Sequence, residues 1–328
     1  MTIGSDWLAS LGVQHPVVQA GMGGGIVRAP LAAAVSEAGG LGTLGLASPR
    51  ALAAELRAAR ERTRKPIAVN LLLPFVRPAH ADAIRQADVV VTFWGRPRRL
   101  SDRPWAHQCG SVAEARAAHA AGADAVIAQG VEAGGHVRGT TPAHALLQEI
   151  RSALSPSLPV LLAGGLADAS DVRRALDAGA AGAVLGTRFL LTPESGAHPA
   201  YVQRLIDGSE TVLTELFGQG WPAAHRVIHN GATRHWLCGS ERGPRWIRSL
   251  NRAGAPLMGR VPIAWHGRVA AVQRPWMPLL SPQPLHAGMP AHLVDATPLY
   301  AGQSVARLHD VRPAGELVRE LTGAAAPR

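Results

Sequence analysis

Residues 122–139 read GADAVIAQGVEAGGHVRG, and the fold turns on how they are read. Ala125–Gln129 is a short apolar run with strand character. It opens into a glycine-rich stretch that ends on His136, and helical spacing follows over Thr141–Leu154. A buried strand, a glycine-rich turn and a helix form the repeating unit of a parallel sheet covered by helices. The same unit recurs on both sides. Further candidate strands are Val17–Gly21, Leu41–Leu46, Ile67–Leu73, Val89–Trp94, Trp105–Gly110, Val160–Ala163 and Ala183–Gly186. Helical patterns at Ala51–Arg62, Val112–Ala121 and Ala169–Ala178 lie between them. Eight strands alternating with helices predict an α/β fold of the (β/α)8 TIM barrel type.

Two stretches break the rhythm. The link between the fourth and fifth strands is GRPRRLSDRP, residues 95–104. It is too short and too rich in proline for an ordinary crossover helix, so that helix is expected to be truncated or absent. Residues 221–298 are rich in Trp, Pro, Arg and His and keep no clean period. They are expected to form an inserted cap or small subdomain, with residues 1–220 and 299–328 making the barrel. Helical spacing returns over Gln303–Leu321, a candidate for the closing barrel helix.

Composition excludes several functions. The formal charge is +10, yet among 33 basic residues only Lys65 is a lysine, and the arginines are scattered. No nucleic-acid motif accompanies the charge, and GC-rich coding raises Arg, Ala, Gly and Pro together; no nucleic-acid partner is expected. Schiff-base chemistry would have to use Lys65, which precedes a strand and so belongs to the stability face of a barrel. Cys109 and Cys238 have neither CxxC nor metal-ligand spacing, and the histidines form no HExxH pattern, so no metal is expected. The N-terminal residues lack signal-peptide character and no apolar run reaches about 18 residues; a cytoplasmic protein with no membrane partner is expected.

Chemistry concentrates where the strands end. Glycine clusters follow the first strand (Gly21–Gly25), the sixth (Gly130–Gly139), the seventh (Gly164, Gly165) and the eighth (Gly186, before Thr187). In a barrel these are the catalytic loops, and the last two commonly cradle a phosphate through backbone amides. His136 is the acid/base candidate, because imidazole titrates near neutrality. Gln129 and Asn70 bring carboxamides that suit a flat polar ligand. Glu132 reads either as a second base or as an anchor for its loop.

Together these segments resemble the nitronate monooxygenase (2-nitropropane dioxygenase) family. The resemblance rests on HPVVQAGMGGG, AVNLLLP, AQGVEAGGH, AGGLAD with GTRF further on, GWPAAHRVIHN and LYAGQSV. It implies a (β/α)8 barrel holding non-covalent FMN and oxidising alkyl nitronates, or a related carbon acid, with O2. It implies that His136 is catalytic, as base or as the residue that orients the substrate. Gly21, Met22, Gly23, Asn70, Gln129, Gly134 and Gly135 would then contact the flavin, and Gly164, Gly165, Leu185, Gly186 and Thr187 its phosphate. Trp94 stands beside the expected substrate pocket, where members often carry a smaller side chain or an imidazole.

Two other readings stay open. Relatives sharing these motifs include quinone reductases and flavin-dependent enoyl-ACP reductases, which accept hydride from a nicotinamide, so NAD(P)H is the alternative electron partner. The chain could also be a flavin-binding accessory protein with altered catalysis. The Trp- and Pro-rich segment could serve as an interface, which leaves a homodimer open.

Overall fold

The computed structural model describes residues 6–258 and 270–324. Eight parallel strands form the main sheet: β1 (Val17–Gln19), β2 (Gly42–Leu44), β3 (Ile67–Leu72), β4 (Val89–Phe93), β5 (Trp105–Cys109), β6 (Ala125–Gln129), β7 (Val160–Ala163) and β8 (Gly182–Leu185). Each of β2 to β8 pairs with its sequence neighbour, and β1 pairs with β8 in the register Val17 to Ala183. A single parallel bridge, Val18 to Leu41, joins β1 to β2 and closes the barrel. Its hydrogen bonds run from Gln19 N–H to Leu41 O and from Leu41 N–H to Val17 O, each 3.0 Å.

Alternation along the strands separates two apolar layers. Val18, Ala68, Val91, Ala106, Ile127, Leu161 and Val184 fill the barrel, joined by Leu8 of the N-terminal helix Asp6–Ser10. The opposite parity, with Val69, Leu71, Val90, Val126, Val160 and Leu162, packs against the helices. Those helices carry the expected end signals. Pro49–Arg62 starts on Ser48, whose Oγ accepts from Ala51 N–H, has Pro at its first position and ends on Arg60 and Arg62.

No helix separates β4 from β5, as the short link predicts. Side chains cover the barrel wall there instead. The Arg99 guanidinium lies 5.6 Å above the Trp105 ring and donates to Asp124 at 2.9 Å. Beneath it, Trp105 Nε1 donates to Thr92 Oγ1 at 2.7 Å, and Thr92 Oγ1 lies 2.7 Å from His107 Nδ1. Burial pushes the His107 pKa down to about 4, which keeps its ring neutral and able to accept from the threonine.

The C-terminal region differs from the expectation in one respect. Helical spacing over Gln303–Leu321 resolves into a 3-10 turn, Gln303–Arg307, and a helix, Ala314–Thr322, because Pro313 lacks the N–H that a continuous helix would need. The latter helix packs between Ala29–Glu37 and Ala169–Asp177 and completes the outer ring. The segment above the barrel has its own small core. An antiparallel hairpin, Thr211–Thr214 with His225–Ile228, contributes Val212 and Val227 to it, beside Phe217, Ile247 and Leu280. Residues 259–269 of the expected insertion, His266 among them, lie outside the described residues.

Candidate active site

A cavity of about 650 Å³ opens at the C-terminal ends of the barrel strands. Gly21, Met22, Gly23, Asn70, Gln129, Gly134, Gly135, His136, Gly164, Gly165, Leu185, Gly186 and Thr187 all line it. Residues spread over most of the chain thus meet at one place.

One end of the cavity is built from backbone. Gly164 and Gly165 follow β7, and Gly186 precedes the short helix Thr187–Leu190. The C-terminal segment folds across them, with Gly302 N–H donating to Thr187 Oγ1 at 2.9 Å. Gly134 must be glycine for this to happen, since a Cβ there would sit 2.5 Å from Gly302 N.

Carboxamides hold the middle. Asn70 Nδ2 donates to Gly21 O at 2.8 Å, and Gln129 Nε2 donates to His136 O at 3.0 Å. Both amides therefore spend a donor on fixing a glycine loop. Asn70 Oδ1, Gln129 Oε1 and the nearby Thr43 Oγ1 are buried without a partner among the described residues. An unmet buried acceptor costs about 1–3 kcal/mol, so three together suit a ligand that donates hydrogen bonds. Gly21 admits the close approach: a Cβ there would lie 2.3 Å from Asn70 Cβ.

Side chains build the other end. His136 belongs to a two-residue strand, Gly135–His136, that pairs antiparallel with His225–Ile228 of the upper hairpin. Arg226 of that hairpin donates through Nη2 to Val131 O at 2.8 Å. Glu132 proves to be an anchor, its carboxylate accepting from Ala143 N–H at 2.9 Å. The His136 ring stacks on Trp221, centroids 3.6 Å apart and planes 17° apart. Tyr300 and His225 flank it at 5.5 and 5.3 Å. Burial drives the His136 pKa well below 6.5, and neighbouring His225 adds to the effect. The imidazole is therefore neutral, and its buried Nε2 has no partner among the described residues.

The flanking groups are committed elsewhere. His225 Nδ1 lies 2.8 Å from Ala223 O, and His225 Nε2 accepts from Phe217 N–H at 3.3 Å. The Tyr300 hydroxyl donates to Pro282 O at 2.8 Å, and burial pushes its pKa far above 10. His136 is thus the group in this cluster available for proton chemistry.

Trp94 does not line the cavity. Trp221 and Phe75 occupy the wall, and Trp94 stands behind, its ring edge-on to Trp221 at 5.3 Å and under the Arg138 guanidinium at 4.7 Å. Trp221, Phe75 and Tyr300 are absent from the sequence-level candidates. Their signal was weak: Trp221 and Tyr300 fall within GWPAAHR and LYAGQSV, with nothing local to aim them at His136. Among the described residues no three His, Cys, Asp or Glu side chains gather to hold a metal ion, and no helix is long and apolar enough to cross a membrane.

A (β/α)8 barrel with a glycine-built cradle and a desolvated histidine lining one cavity is the architecture of a barrel enzyme with its ligand site at the strand C-termini. The family model described as nitronate monooxygenase matches residues 6–94 and 101–323, and the chain belongs to that family. A nitronate monooxygenase from Pseudomonas aeruginosa is 34% identical over 63% of this chain and 74% of its own length. The (3aS,4S,5R,7aS)-5-hydroxy-7a-methyl-1-oxo-octahydro-1H-indene-4-carboxyl-CoA dehydrogenase of Mycobacterium tuberculosis is 33% identical over 95% of this chain and 93% of its own length. Among solved structures, nitroalkane oxidase from Streptomyces ansochromogenes is 29% identical with a TM-score of 0.76, covering 96% of both chains.

Proposed function

We propose that the chain is an FMN-dependent oxidoreductase that oxidises an alkyl nitronate, or a carbon acid of similar acidity, with O2. The observation that carries this reading is the desolvated, neutral His136 in a cavity that a glycine cradle also lines. The unpartnered acceptors of Asn70 and Gln129 fit the N–H edge of a flavin ring, and the amides around Gly165 and Gly186 fit its phosphate. When bound, FMN would supply the electron acceptor for the substrate and the donor for O2.

The chain's own residues would do the rest. Neutral His136 can accept a proton from carbon through its free nitrogen, or donate its N–H to a nitronate oxygen. Trp221 stacking fixes the ring and excludes water from one face. Gln129 sets the height of His136 by holding its carbonyl. The test is colour and its loss. Purified protein should carry flavin absorption and release FMN on denaturation, and anaerobic nitronate should bleach it. Colourless protein that also fails to bind added FMN would sink the reading.

A second reading keeps the cofactor and changes the substrate. The Mycobacterium tuberculosis relative matches 95% of this chain, the upper segment included, whereas the Pseudomonas aeruginosa enzyme matches 63%. That difference favours a CoA thioester as substrate, with NAD(P)H or NAD(P)+ as electron partner. Anaerobic mixing with NADPH and with nitronate separates the two: bleaching by NADPH alone selects the second reading.

A further inference from the structure

The missing crossover helix leaves an open cleft on the barrel flank. It holds about 610 Å³ and starts at Leu73 and Pro74, directly beside Phe75 of the active-site wall. From there it runs to Ala121, at the end of the helix Val112–Ala120. Its floor is apolar, and Arg96, Arg98 and Arg99 line its edge. Arg99 is spent on Asp124 and on the carbonyls of Gly122 and Arg103. Arg96 and Arg98 are exposed and make no ion pair or side-chain hydrogen bond among the described residues.

Three observations mark this as more than a loop. Residues 95–100, GRPRRL, fall between the two stretches that the family model matches. Trp94 holds φ at +61°, a conformation unfavourable for a bulky residue, and this turns the segment outward from the end of β4. The same Trp94 touches Trp221, which stacks on His136, so the head of the cleft and the catalytic histidine share one aromatic wall. An apolar slot with two unpaired guanidinium groups matches a nucleotide: the base against the floor, the phosphates on the forks.

We infer that this cleft binds the nucleoside-diphosphate part of a co-substrate, whose reactive end enters the barrel cavity past Phe75. The inference rests on the redox reading of that cavity and extends it to a handle that a simple nitronate lacks. The shared chemistry is an adenosine diphosphate, present in CoA thioesters and in nicotinamide dinucleotides alike.

The probe is ADP, titrated calorimetrically into the FMN-loaded protein so that the phosphate cradle is filled. Parent protein should bind ADP, and the R96Q/R98Q double variant should bind it tenfold or more weakly, with R96K/R98K in between. Nitronate-driven flavin reduction should be unchanged in all three, since neither arginine lines the barrel cavity. CoA and NADPH then compete against ADP, and the tighter competitor names the source. No ADP binding, equal binding by parent and double variant, or displacement by neither competitor would overturn the inference. Failure of nitronate to reduce the flavin would count against the proposed reaction and leave the ADP result standing.

Discussion

The two ends of the cavity are made of different material. The cradle end uses the backbone of Gly164, Gly165, Gly186 and Thr187, all placed by neighbouring barrel strands β7 and β8. The opposite end uses the rings of His136, Trp221 and Tyr300, which come from one barrel loop and two distant parts of the chain. Backbone amides neither titrate nor rotate away, so they suit a cofactor that stays. Side chains in a desolvated cluster have tunable proton affinity, so they suit the step that changes with substrate.

Removing the imidazole should have the largest effect. His136→Ala should lower turnover by about 10²–10⁴-fold while FMN stays bound, as expected for loss of a positioned acid/base group. Equal turnover by parent and variant on every candidate substrate would leave only an accessory role. The asymmetry between the ends would then lose its functional meaning.

Acid should distinguish the ends next. Burial lowers the His225 pKa to about 4, from 6.5 in the unfolded chain, and lowers that of His136 as well. The unfolded chain therefore binds more protons between pH 6.5 and 4. This stability is complete above pH 6.5 and is lost as pH falls toward 4, by about 3 kcal/mol for His225 alone. Urea unfolding at pH 7 and pH 5 checks the sign, and a His225→Asn variant should flatten the dependence.

Crowding the cradle should cost somewhat less. Gly134→Ala forces a Cβ against Gly302 N, with backbone on both sides and nothing able to yield. A loss of about 1–3 kcal/mol is expected, together with weaker FMN retention on gel filtration. The smallest effect belongs to a residue at neither end. Lys65→Arg, just before β3 on the opposite face, should leave activity intact and shift stability by less than about 0.5 kcal/mol. A large loss of activity there would reopen Schiff-base chemistry.

Much of this architecture is legible in the residues themselves. The strands of a buried parallel sheet are apolar throughout, so Ala125–Gln129 and Val160–Ala163 have the same bounds in the sequence reading and in the structure. The glycine clusters stand next to those strands, which made the cradle readable as well. Trp94 shows where this stops. The family resemblance placed it beside the substrate pocket, yet Trp221 lines that wall and Trp94 packs against Trp221 without lining the cavity. No local pattern gives that order, because the hairpin carrying the flanking His225 reaches His136 only through strand pairing across the chain.

The sequence alone determined the barrel, the absent crossover helix and the loop that ends on His136, because strand burial and turn chemistry act between near neighbours. The tertiary structure decided what surrounds that histidine. The stacking of Trp221, the commitment of His225 and Tyr300 to other partners, and the loss of water that keeps the imidazole neutral all require distant segments to close over one loop. Desolvation belongs to the packed whole, and no single stretch of chain encodes it.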